Sequence, residues 1–165
     1  MKLVTLGSLA LEGTTADLPP GLASGRPLAL LAYLALRNGR GATRDDLADL
    51  LWEGRDIKSS RRVLRQALYV IRKGLGSDSL ETTTDSVRLT DVLATDVDEF
   101  EAAVRAGDHR STFDSYRDRF LDGFELSSAN RFSTRVDGER SRLHGMLFPI
   151  ADRRTPPSMC VSAVF

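Results

Sequence analysis

The apolar residues of this chain follow two spacings, one typical of short strands and one typical of helices. Lys2–Leu6 and Ser8–Glu12 are short apolar runs separated by Gly7, and they predict two small strands. Arg26–Arg37 is apolar along nearly its whole length, which predicts a helix in the core that is too short to span a bilayer. The N-terminal pattern therefore predicts two strands followed by a buried helix.

Two more helices and a hairpin are predicted next. Thr43 is expected to cap a helix that carries leucines on one side. Lys58–Leu75 has apolar residues at helical spacing, which predicts an amphipathic helix with one buried stripe. The residues of that stripe are Leu64, Ala67, Leu68, Ile71 and Leu75. The β-prone runs Leu80–Thr83 and Ser86–Leu89 flank a turn and predict a hairpin. This order of elements is that of a winged helix-turn-helix.

Beyond Leu93 the predicted elements are all helical. Asp96 and Glu99 form a candidate capping box for the first of these helices. Arg110–Leu121 follows after a tight turn, so the two helices are expected to form an αα-hairpin, the unit of helical-repeat proteins. A third helix is predicted over residues 131–147.

We therefore predict an α+β chain in which a winged helix-turn-helix is followed by a short all-α helical-repeat segment. The winged helix is expected over residues 1–92 and the helical segment over residues 93–148. Residues 149–165 contain two adjacent prolines, no helical spacing and little charge after Arg154. That composition predicts an irregular tail.

The helix over Lys58–Leu75 holds six cationic side chains and no carboxylate, in a chain whose formal net charge is zero. Eight of its polar residues fall within an arc of roughly 140° if each residue advances by about 100°. They are Lys58, Arg61, Arg62, Arg65, Gln66, Tyr69, Arg72 and Lys73. Acidic residues usually alternate with basic ones on such a face, so we expect an anion outside the helix, best a phosphate, to compensate these charges. A leucine-anchored helix with an arginine-rich outer face fits the major groove of DNA. A merely solvated face, or one that docks an acidic protein partner, is the alternative.

Position along the helix predicts a role for each polar residue. Arginines of the arc can bond O6 and N7 of guanine, and Gln66 can pair with adenine. Lys58, Arg72 and Lys73 lie near the helix ends, where contacts to phosphates are expected. Tyr69 either donates its hydroxyl to a phosphate or packs as a half-buried aromatic at the rim.

The hairpin is expected to act as the wing. It would present Arg88 and the threonines Thr82–Thr84 to the DNA backbone or the minor groove, although Arg88 can equally be a solvated strand residue. Ser59 and Ser60 are expected to cap the cationic helix, with a phosphate contact as the alternative. Arg44, at the start of the preceding helix, is a weaker candidate for a phosphate contact.

The remaining polar residues offer little for catalysis or metal binding. A single cysteine, Cys160, excludes an intrachain disulfide and a cysteine-rich zinc site. His109 and His144 lie far apart in the sequence, so a catalytic dyad would require a coincidence of folding. The chain has no secretory signal and no apolar run near ~18 residues. We expect a cytoplasmic protein that is not an enzyme, does not bind membranes and uses no cofactor or metal.

Three stretches resemble SARP-type transcriptional activators, which are OmpR-like winged-helix regulators of bacterial gene clusters. GRPLALLAYLALRNGRGATRDDLADLLWEG and SSRRVLRQALYVIRKGLG resemble the DNA-binding domain of these proteins. TDVDEFEAAVRAGDHRSTFDSYRDRFLDGFEL resembles the start of their bacterial transcriptional activator domain, a helical-repeat module. The three stretches occur in the order that the family has.

The resemblance implies a sequence-specific regulator that activates a bacterial gene cluster from its promoter. It implies binding of direct repeats by head-to-tail homodimers, and recruitment of RNA polymerase through the loop that is Glu53–Ile57 here. The residues that match the DNA-facing side of the helix are Arg61, Arg62, Arg65, Gln66, Tyr69, Arg72 and Lys73. The family's activator domain usually continues through more helices, and Arg135 replaces an aromatic that is common in its FxxW-like segment. A truncated DNA binder that does not activate is therefore an alternative.

Overall fold

The computed structural model describes residues 1–13, 18–23, 25–37, 39–91 and 93–147. The predicted tail over residues 149–165 lies outside this part of the chain. The strands are β1 (Lys2–Val4), β2 (Ala10–Glu12), β3 (Ala42–Thr43), β4 (Leu80–Thr82), β5 (Ser86–Leu89) and β6 (Ala94–Thr95). The helices are α1 (Gly25–Leu36), α2 (Arg44–Leu51), α3 (Ile57–Leu75), α4 (Asp96–Ala106), α5 (His109–Ser115) and α6 (Asn130–Gly145). The α+β winged helix-turn-helix followed by helices is thus confirmed.

A three-stranded sheet lies at the N-terminus, with β1 between β2 and β6. β1 and β2 confirm the two predicted strands; they pair antiparallel, and Leu3 faces Leu11 in that register. The partner on the other side, β6, was not expected and pairs parallel with β1 through Leu3 and Thr95. A two-residue strand carries no periodic pattern, so its sequence could not indicate it.

The core is built around α1, whose residues 28–35 are all buried. An unbroken run of leucine and alanine supports burial on every side, because α1 contacts α2, α3 and β5 at once. α3 contributes Leu64, Ala67, Leu68 and Ile71 to the same core. The predicted apolar stripe of the cationic helix is therefore its anchored side, with Leu75 half-buried at the end.

The predicted hairpin forms a second sheet. β4 pairs antiparallel with β5, and β5 also pairs with β3 through Ala42 and Val87. Thr43 ends β3 and caps α2 as expected, since its hydroxyl accepts a hydrogen bond from the Asp46 N–H at 3.0 Å. The start of α2 is consequently fixed beside the hairpin.

The helices after the hairpin partly depart from the predicted bounds. α4 and α5 pack as the expected αα-hairpin, but α5 ends at Ser115 rather than at Leu121. The main chain beyond α5 pairs instead with the residues that follow β1. The Leu121 N–H donates to the Thr5 carbonyl at 2.7 Å, and the Asp122 N–H donates to the Gly7 carbonyl at 2.8 Å. Tertiary hydrogen bonds thus outweigh the helical pattern of this stretch.

The expected capping box at Asp96 and Glu99 is wrong. Thr95 caps α4, with its hydroxyl accepting from the Asp98 N–H at 3.0 Å. Asp96 is buried, and its carboxylate accepts hydrogen bonds from the N–H groups of Thr5 and Leu6 and from the Thr5 hydroxyl at 2.7–2.9 Å. These bonds and the pairing of β6 cross the expected boundary between residues 92 and 93, and the division into two domains stays a prediction.

α6 confirms the expected third helix and packs against α2. Its buried side chains are Phe132, Val136 and Leu143. The Arg131 guanidinium lies 3.3 Å from the Asp49 carboxylate of α2, an exposed contact between the start of α6 and the winged helix. The helical segment therefore covers the side of the winged helix where α2 lies.

Candidate nucleic-acid interface

α3 begins at Ile57, and Asp56 is its N-cap. The Asp56 carboxylate accepts the Ser59 N–H at 3.0 Å. Hydrogen bonds from the Ser59 hydroxyl and backbone hold the pKa of Asp56 below its ordinary value. The expectation that Ser59 and Ser60 cap the helix is wrong, because both lie within its first turns and Ser60 is buried. A carboxylate at this position is also stabilised by the positive end of the helix dipole.

The outer side of α3 carries six exposed polar residues. These are Lys58, Arg62, Arg65, Gln66, Tyr69 and Lys73. Within the described residues, no ion pair or side-chain hydrogen bond engages any of them. Tyr69 is 59% exposed, so the reading of it as a half-buried rim aromatic is wrong. We call these six residues the open face of α3.

Arg61 also points outward but has a partner. Its Nε and Nη2 donate to the two carboxylate oxygens of Asp45 at 2.9 and 3.0 Å, a bidentate pair between α3 and the first turn of α2. Compensation of this charge therefore comes from outside α3, as expected, but from a carboxylate of the protein and not from a phosphate. The sequence placed Asp45 at a helix start, where the dipole alone explains a carboxylate, so the second role was missed.

Arg72 turns away from the open face. Its Nη2 donates to the Thr82 hydroxyl at 2.7 Å and to the Leu80 carbonyl at 3.2 Å, and its side chain is half-buried. The expectation that Arg72 holds a phosphate is not met here, because its hydrogen bonds join α3 to β4. Periodicity placed Arg72 in the polar arc but could not show that a strand lies beside it.

Several polar groups of the hairpin form hydrogen bonds or ion pairs within the protein. Arg88 forms an ion pair with Glu81 on the neighbouring strand, and the hydrogen bond and charge of Glu81 raise the pKa of Arg88. The Thr83 hydroxyl accepts from the Ser86 N–H at 3.0 Å and so closes the turn. Arg44 donates from Nε to the Thr83 carbonyl at 3.1 Å, so it too is used within the protein. Thr84, at the tip, stays exposed.

An open cleft of about 620 Å³ lies between α3, the start of α2 and the tip of the hairpin. Its lining residues are Thr43, Arg44, Asp45, Arg61, Leu64, Arg65, Thr84 and Asp85. The cleft brings Arg65 of the open face together with Thr84 at the wing tip. A winged helix needs this arrangement to contact two features of a duplex at once.

Other chemistry is not indicated in the described part of the chain. There, no three His, Cys, Asp or Glu side chains come together in a group that could hold a metal ion. Among the described helices, none combines the length and the apolar character required to cross a bilayer.

Comparison with known proteins bears on this geometry. Residues 22–89 match the family described as "Transcriptional regulatory protein, C terminal". The fold is similar to that of Mycobacterium tuberculosis EmbR, solved in complex with a low affinity phosphopeptide, with a TM-score of 0.61 at 20% sequence identity. The alignment covers 92% of this chain and 47% of that chain, so this chain spans about half the length of its structural relative. No match is found among curated proteins.

Proposed function

We propose that this chain is a winged-helix transcriptional regulator of the SARP type and that it reads the base sequence of duplex DNA with the open face of α3. One observation carries the proposal. Six exposed polar residues, which have no partner among the described residues, share one side of a helix whose other side is anchored in the core. An exposed side chain that keeps its donors unused while its helix is held rigidly is suited to an external acceptor.

The open face fits the chemistry of a major groove. Arg62, Arg65 and Gln66 lie in the middle of α3, where guanidinium and amide groups can bond the edges of guanine and adenine. Lys58 and Lys73 lie near the two ends, where a groove-bound helix passes the phosphates of the DNA backbone. Because the formal net charge of the whole chain is zero, this local charge, and not a general cationic character, provides the attraction.

Binding can be tested by selecting sequences from random duplex DNA and measuring the affinity of the selected duplex by fluorescence anisotropy. Arg65→Ala is expected to cost ~1–3 kcal/mol and to relax the preference at one base position, since it removes a base-reading donor pair. The matched control is Arg110→Ala, which removes an exposed cation from α5. A selection that enriches no sequence, together with a protein complex that survives nuclease treatment, would favour docking of an acidic protein partner instead.

We further propose that the bound protein acts at a promoter as an activator and contacts RNA polymerase through Glu53–Ile57, because this connection between α2 and α3 is exposed over most of its length. Gly54 and Arg55 are exposed there, and Ile57 is 68% exposed. An exposed isoleucine beside a charged loop is a feature of surfaces that bind other proteins.

A transcription assay on the selected sequence separates this role from DNA binding. Arg55→Ala combined with Ile57→Ser is expected to leave the DNA affinity within about twofold of the original, because neither residue lies on the open face, and to lower transcript yield. Unchanged transcript yield would remove the loop from the proposal. Binding as homodimers to direct repeats, and a cytoplasmic location beside the chromosome, belong to the same proposal and are tested by footprinting and by cell fractionation.

A further inference from the structure

The ion pair between Asp45 and Arg61 lies beside the open face of α3, and stability does not explain it. Their side chains are 64% and 55% exposed. Exposed ion pairs contribute little to folding, because water screens them and two long side chains must be held in one geometry. A carboxylate beside a surface that binds phosphates also opposes that binding. The position of Asp45 therefore suggests a role in recognition.

The geometry of the pair leaves one edge of the guanidinium unused. Asp45 engages Nε and Nη2 of Arg61, the edge nearest to the side-chain stem. The Nη1 side of the group has no hydrogen bond within the described residues. A guanidinium fixed by a bidentate carboxylate keeps its planar donors in one orientation, which reduces the ordering required when the outer edge meets a base.

The same carboxylate changes the charge of the cleft. Asp45, Arg61 and Arg65 line it together. With Asp45 present, the positive charge of Arg61 is largely cancelled, so attraction to DNA of arbitrary sequence is weaker. A guanine positioned to accept from the outer edge of Arg61 offsets that loss, whereas a mismatched base does not.

We propose that Asp45 is a specificity-determining residue that positions Arg61 for one base and suppresses binding to other sequences. This inference rests on the proposed function, namely sequence reading by α3. It predicts that removal of the Asp45 charge strengthens binding to DNA of arbitrary sequence while weakening discrimination. A residue that merely stabilised the fold would do neither.

The test compares Asp45→Asn with Asp46→Asn in the full chain. Asp46 lies next to Asp45 in the same first turn, so its substitution removes the same charge without touching the pair. Affinities are measured for the selected duplex and for a scrambled duplex of the same composition. Asp45→Asn is expected to bind the scrambled duplex about threefold more tightly and to lower the ratio of the two affinities about tenfold. Asp46→Asn is expected to keep that ratio within about twofold of the original.

A double substitution shows whether Asp45 acts through Arg61. In an Arg61→Ala background, Asp45→Asn is expected to change the affinity ratio no further, because there is no guanidinium left to position. Circular dichroism and thermal unfolding establish that each variant is folded. If the original protein prefers its selected duplex and Asp45→Asn retains the full ratio, the inference is overturned and the proposed function stands. If the original protein shows no preference at all, both are overturned.

Discussion

At the scale of single residues, α3 separates cations that are used inside the protein from cations that are not. Arg61 and Arg72 have internal partners, whereas Arg62, Arg65 and Lys73 have none within the described residues. The sequence predicted the outward arc as a whole, because helical spacing fixes direction. It could not predict this division, since the partners come from α2 and β4, which are distant in the chain.

Lys73 tests the role of a charge at the end of the open face. Lys73→Ala is expected to weaken binding to all DNA sequences alike and to reduce the slope of log affinity against log salt by about 1, because one phosphate contact is lost. Titrations at several salt concentrations with the selected and the scrambled duplex measure this. A loss confined to the selected duplex would mean that Lys73 reads a base.

The ionisation of Asp56, the N-cap of α3, makes the stability of the fold depend on pH. Its pKa is lowered in the folded chain by hydrogen bonds from Ser59, so the cap stabilises the fold fully above the unfolded value of ~3.9. That stabilisation is lost as the pH falls through the lowered, folded value. Asp56→Asn keeps a capping side chain that does not titrate, so the difference in melting temperature between the original protein and this variant should shrink below pH 4 or so. A difference that is independent of pH between 6 and 3 would contradict the assigned cap.

At the scale of elements, long periodic stretches were predictable and short or paired segments were not. α1, α3 and α6 and the hairpin lie close to their expected bounds. β3 and β6 have two residues each and depend wholly on their partners. α5 is shorter than its pattern indicates because the chain after Ser115 turns to bond the end of the first strand.

The bond between Arg72 and Thr82 tests how the hairpin is held beside α3. Thr82→Val keeps the shape of the side chain and removes the acceptor, so the free energy of unfolding is expected to fall by about 1 kcal/mol. Urea denaturation measures the change. Thr84→Val, in the exposed turn of the same hairpin, is the control and is expected to change it by less than about 0.5 kcal/mol. Equal effects of the two substitutions would argue against Arg72 as the link.

At the scale of the whole molecule, the helices after residue 93 share one apolar core with the winged helix and also make polar contacts to it. Asp96 bonds the end of the first strand, Arg131 approaches Asp49, and Arg26 donates to the Leu51 and Ser127 carbonyls at 2.7 Å. The resemblance to SARP-type regulators indicated a winged helix followed by helices; the family match over residues 22–89 lies within the first part, and the fold has both in that order. The contacts between the parts could not be predicted, because each joins residues that are far apart in sequence.

Asp96 tests whether these contacts hold the molecule together. Asp96→Asn replaces one acceptor oxygen by a donor that faces backbone N–H groups, so the free energy of unfolding is expected to fall by about 2–4 kcal/mol. Asp122→Asn, at an exposed position, is the control and is expected to have little effect. Equal urea midpoints for the Asp96 variant and the original protein would show that the buried carboxylate is not required.

Photo-crosslinking tests most directly the claim that the open face of α3 meets DNA. A photoreactive amino acid is placed at Gln66, in the middle of the open face, or at Ser141, an exposed position on α6. After irradiation with the selected duplex, the chain carrying the probe at position 66 is predicted to become covalently linked to DNA, and the chain carrying it at position 141 is not. Crosslinking from position 141 alone would contradict the assigned interface.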